Sequence, residues 1–194
     1  MTVLSPPLPI IIDHALQDAR RWCKGHTIDD RAALAHAVQV AVTIGEHLPD
    51  TPHTLVAAAL LHDVPDFAPA TPDIYQVLAA GYGSEVPRII AALQVEHRAL
   101  DEPDPSVRVD DLPVLLVSTA DKIVALGSLL RRARASGNVR DFFARRPALR
   151  ALLPHFRAFQ QAAHTRVPTS MSTRLDVTLT LLEQVASIPA ASTR

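Results

Sequence analysis

His53-Thr54-Leu55-Val56-Ala57-Ala58-Ala59-Leu60-Leu61-His62-Asp63 is the stretch on which the fold turns. Seven apolar residues run without interruption from Leu55 to Leu61. A run of that length suits a buried strand or a buried helix segment. The alanine triplet and the absence of alternation favour a helix that is apolar all round and therefore central. The run ends on a histidine and an aspartate side by side. Such groups are seldom buried unless paired or bound to metal. Adjacent side chains diverge by about 100° within a helix, but at a helix end both can converge on an ion lying off the terminus.

Working outward, the chain reads as helix after helix. Residues 1–9 form an irregular arm with three prolines. A helical pattern starts near Ile10, is rich in helix formers from Asp13 to Trp22, and breaks at Cys23–Thr27. Asp29 or Asp30 would cap a second helix from about Ala32 to Leu48. Pro65, Pro69 and Pro72 mark a loop. Helical patterns resume at 73–80 and 85–97, followed by a charged, proline-bearing loop from Leu100 to Asp110. Asp111–Ala135 reads as one long helix, which Gly137 ends. Further helices are expected at 139–145, 148–163 and 171–187, with Pro154 as a kink. No segment alternates with period two over a strand's length, and no repeat or internal linker is visible. The expected class is all-α: a multi-helix bundle forming one domain over 10–188, with 189–194 as a tail.

Composition narrows the function. Hydrophobic residues make up 48% of the 194, enough for a core at this length. A formal net charge of -1 gives no electrostatic footprint for DNA or RNA. The single cysteine, Cys23, excludes an internal disulfide and a cysteine-based zinc cluster. The N-terminal residues lack a basic region of signal-peptide type. The Leu55–Leu61 run is far shorter than the ~20 residues of a membrane helix. A cytoplasmic protein without membrane or nucleic-acid partner is expected; no oligomeric state follows.

Two groups complete a possible ligand set with His62 and Asp63. His36 sits in the apolar stripe of the second helix, and Asp121 interrupts the apolar face of the long one within Thr119-Ala120-Asp121-Lys122. Three helices would each bring an imidazole or carboxylate to one interior point. Mixed His and Asp donors suit Mn²⁺, Fe²⁺, Mg²⁺ or Zn²⁺. Taken singly, each has a plainer role: His36 as a hydrogen-bonded histidine, Asp121 as part of a solvated face, His62-Asp63 as a capping cluster. Their order along the chain carries the metal reading.

His36…His62-Asp63…Asp121 resembles the HD superfamily of metal-dependent phosphohydrolases. Ala58-Ala59-Leu60-Leu61-His62-Asp63-Val64-Pro65-Asp66 and Thr119-Ala120-Asp121-Lys122 are similar to the hydrolase domain of RelA/SpoT-type alarmone enzymes, above all the small stand-alone forms, over roughly residues 12–135. The resemblance implies a helical fold, one divalent cation of the Mn²⁺ kind, and removal of a 3′-pyrophosphate from guanosine tetraphosphate-like nucleotides. Departures accompany it. Pro65 and Asp66 stand where that family has a Glu-Asp pair, and Ala125 where it has an asparagine. Ala33 and Ala37 replace a tyrosine and a proline.

Asp63 and Asp66 are the candidate catalytic carboxylates, Asp63 through the ion it would hold and Asp66 by orienting or deprotonating water. Lys24, matched to a basic position of the family, and Lys122 are the candidate substrate-binding residues, both offsetting phosphate charge. The changed positions also fit a non-catalytic HD domain that binds a nucleotide or a protein partner. A two-iron oxygenase would need more histidines between His62 and Asp121, where only His97 stands. His14, His47, His53, His97, His155 and His164 are read as having no functional role.

Overall fold

The alanine-rich run is the helix α3 (His53–Leu61) of a computed structural model that describes residues 2–28, 30–69, 73–102 and 105–186. Every residue from Leu55 to Leu61 is buried. Its small side chains let four helices close around it: α1 (Ile10–Trp22), α2 (Ala33–His47), α6 (Glu85–Ala99) and α7 (Leu112–Ala135). Burial on every side explains why it has no polar face.

α7 is the second axis of the core. Asp111 caps it by accepting the Val114 N–H at 3.3 Å, Pro113 occupies its first turn, and it ends just before Gly137, whose φ of 73° suits a residue without Cβ. By length and composition α7 could cross a membrane. Yet 67% of its most apolar window is buried inside the fold, against α2, α6 and α10 (Thr169–Ala186). It is a core helix. α8 (Val139–Ala144) and α9 (Pro147–Ala163) close the other side of the bundle. α9 continues through the exposed Pro154. α5 (Ile74–Tyr82) packs on α6 and ends at Gly83 with φ 74°. α10 is fastened to α2 by Ser170 on His47 and by Arg174 on Glu46, at 2.8 and 2.6 Å.

The all-α reading holds, and three local expectations change. Thr27–Ile28 (β1) and Arg31–Ala32 (β2) form a two-stranded antiparallel hairpin, pairing Thr27 with Ala32 and Ile28 with Arg31. Two-residue strands are too short to leave a periodic signal. Asp30 therefore sits in the hairpin turn, at φ 61°, and its carboxylate accepts from Arg132 at 3.1 Å. It caps nothing: the residue before α2 is Ala32, with no side-chain cap, and Asp29 lies outside the described residues. Second, the stretch after Asp63 begins with a short helix, α4 (Val64–Phe67), because a proline in a first turn fits helical geometry. Third, the arm before α1 is irregular but packed: Val3 lies against Gly45 of α2, where any Cβ would collide with it.

Candidate functional site

α2, α3 and α7 bring His36, His62, Asp63 and Asp121 to one buried point. His36 is in the first turn of α2. His62 follows the last residue of α3, and Asp63 precedes α4. The break between α3 and α4 turns both consecutive side chains into one cluster with the His36 ring, as convergence at a helix end requires. His36 Nε2 lies 2.9 Å from Asp121 Oδ1 and 3.8 Å from Asp63 Oδ2. His62 Nε2 lies 3.2 Å from Asp63 Oδ2 and 3.8 Å from Asp121 Oδ1. His36, His62 and Asp121 form a group whose ligand atoms all fall within 4.8 Å of one another.

Two details test whether a cation fits. The first is polarity. The Nδ1 of the fully buried His62 stands 2.8 Å from the Ala59 carbonyl oxygen, which can only accept. Nδ1 therefore carries the hydrogen, and Nε2 is left to face the cluster. His62 Nε2 and Asp63 Oδ2 are both buried and face each other at 3.2 Å, yet neither makes a hydrogen bond among the described residues. Orphaned buried polar atoms are costly, so two aimed at one point call for a ligand. The second is spacing. Donors about 2.1 Å from a common ion stand roughly 3.0 Å apart at right angles and roughly 3.4 Å apart in a tetrahedron. The observed 2.9, 3.2 and 3.8 Å have that scale. The cluster is suited to hold a metal ion.

The carboxylates make the cluster attract positive charge, whether proton or cation. Burial works against a charged His62, but the carboxylates of Asp63 and Asp121 outweigh it and push the ring up to about 9. Burial would raise the Asp121 carboxyl; His36, His62 and His97 overcome it and hold the group well below the usual range. Cys23, at the end of α1, is raised to about 11 by burial and then by the charge of Asp63.

The other expected residues divide. Asp66 is exposed on α4, one turn beyond Asp63, and its Oδ2 accepts from the Gln94 side-chain amide at 3.0 Å. Lys24 is exposed and lines an open cleft of about 370 Å³ with Arg20, Cys23, His26 and Thr27. Beside it His26 stacks on Phe67 at 4.5 Å, joining the hairpin to α4. Lys122 is a correction. Its side chain is 4% exposed, ion-paired with Glu96, donates to Ser118 Oγ at 2.9 Å and lies over the Phe159 ring. The 100° step from Asp121 carries it to a different face of α7, and buried in its ion pair there it is not available to a substrate.

Two residues of α6 escaped the sequence reading. His97 Nε2 lies 3.4 Å from Asp121 Oδ2, and its ring meets His62 edge-on at 6.2 Å. Gln94, buried, donates to the His62 carbonyl at 3.2 Å as well as to Asp66. A signal existed for His97: it ends the stripe Val86, Ile90, Leu93, whose steps of four and three mark the core face of α6. No protein-family model and no curated protein matches the chain.

Proposed function

We propose that this chain is a divalent-cation-dependent phosphohydrolase acting on a nucleotide or other small phosphoester. The observation that carries the reading is the pair of orphaned buried atoms, His62 Nε2 and Asp63 Oδ2, facing one point together with His36 and Asp121. His36, His62, Asp63 and Asp121 would hold the cation, Mn²⁺ before Fe²⁺, Mg²⁺ or Zn²⁺. When bound, such an ion polarises a phosphoryl oxygen and acidifies a water molecule. Asp66, held by Gln94 one turn beyond Asp63, would orient that water and accept its proton. Arg20 and Lys24, around the cleft by Cys23, would supply positive charge for phosphate oxygens. The resemblance to RelA/SpoT-type hydrolase domains supports guanosine tetraphosphate as the first substrate to try, in a cytoplasmic setting.

The test is turnover by metal-depleted protein resupplied with Mn²⁺, against guanosine tetraphosphate, NADPH and simple nucleotides, with Asp63→Ala alongside. Release of phosphate or pyrophosphate that requires the cation and disappears in Asp63→Ala is the expected result. Unchanged metal content in that variant contradicts the reading. Pro65, which offers no carboxylate beside Asp66, favours a second reading as a non-catalytic nucleotide-binding or protein-interaction module. Tight nucleotide binding without turnover under any cation would select it.

A further inference from the structure

We propose that His97 is a positioning residue of the cation site, acting through Asp121; this rests on the cation reading above. The two oxygens of Asp121 are divided between two neighbourhoods. Oδ1 faces His36 at 2.9 Å and His62 at 3.8 Å, on the side of the orphaned atoms. Oδ2 faces His97 Nε2 at 3.4 Å. A carboxylate offering one oxygen to an ion is free to turn about its terminal torsion unless the other oxygen is held. An N–H on the far oxygen removes that freedom and fixes one-oxygen coordination.

Two residues just before His97 hold the last turns of α6 in place. Glu96 is locked to Lys122 and accepts from Ser118 Oγ at 2.8 Å, while Gln94 is tied to the His62 carbonyl and to Asp66. Two neighbouring polar residues of one helix, Gln94 and Glu96, thus grip α7, the α3–α4 turn and α4. That grip sets the register of α6 on α7, and the register sets His97 opposite Asp121. The His97 side chain is 26% exposed, so it stands at the rim of the cluster, where a solvated histidine would otherwise point into water.

The experiment titrates metal-depleted protein with Co²⁺, read by its visible absorption, in wild type, His97→Ala and His97→Gln. Melting of each metal-free protein controls for folding, and His97→Met replaces His97→Ala should the latter fail to fold. Losing the donor is expected to weaken Co²⁺ binding about tenfold or more and to change the band shape, while His97→Gln, which keeps an N–H donor, restores both to within about threefold of wild type. Unaltered affinity and spectrum in His97→Ala overturns the proposal. So does a second Co²⁺ in wild type that His97→Ala loses, since His97 would then be a ligand. Absence of Co²⁺ binding by wild type overturns the cation reading itself, and with it this inference.

Discussion

Asp121 and Lys122 are neighbours in sequence and belong to two buried polar clusters of opposite character. On one side of α7, Lys122 meets Glu96 and Ser118 and lies over Phe159. One cation and one anion cancel, and the hydroxyl fills a remaining valence. On another face, Asp121 joins His36 and His62 beside Asp63, and His62 Nε2 and Asp63 Oδ2, 3.2 Å apart, make no hydrogen bond among the described residues. The first cluster completes itself and ties α6 to α7. The second is complete only with something positive added. A buried polar group that closes on itself argues for architecture; one left open argues for a ligand.

The largest effect should come from breaking the closed cluster. Lys122→Met leaves Glu96 buried without its countercharge and is expected to cost about 3–5 kcal/mol in urea unfolding followed by circular dichroism. Adding Glu96→Gln should recover much of that loss; a single-variant cost below about 1 kcal/mol would dissolve the contrast. The open cluster should respond to cation instead. Mn²⁺ at 100 times its dissociation constant is expected to stabilise the wild type by about 2.7 kcal/mol, raising the melting temperature by roughly 5–10 °C. Asp121→Asn should melt at one temperature with or without Mn²⁺.

The pH dependence follows from Glu96. Burial would raise its carboxyl, but Lys122 outweighs burial and the group is held below its ordinary value. Its contribution is therefore present above the unfolded value of about 4.3 and is lost as pH falls through the lower folded value. Acid unfolding curves of wild type and the Glu96→Gln, Lys122→Met double variant should diverge in that acid range and run parallel near neutrality. The smallest effect is expected for the same chemistry in water. Arg88 pairs with Glu85 and Asp111 at the surface, and Arg88→Ala should cost under about 1 kcal/mol by thermal melting.

The same two clusters mark what could be read from the sequence. The helices were legible because apolar periodicity and proline or glycine punctuation recur along the chain, and His36, His62, Asp63 and Asp121 because charged residues in buried stripes need a reason. Lys122 was misread although the 100° step between neighbours already separates it from Asp121. Its partner Glu96 lies 26 positions away, and only the docking of α6 on α7 brings the two together. His97 closed an apolar stripe and still passed for an ordinary histidine, since nothing local shows which residue faces it. The hairpin at 27–32 left no trace because four paired residues carry no period.

The most direct measurement is the crystal structure of the protein soaked in Mn²⁺, with the ion located by its anomalous scattering. One peak is expected, within about 2.3 Å of His36 Nε2, His62 Nε2 and carboxylate oxygens of Asp63 and Asp121. A map with no peak among these four side chains, at an ion concentration that fills other sites on the protein, would contradict the account.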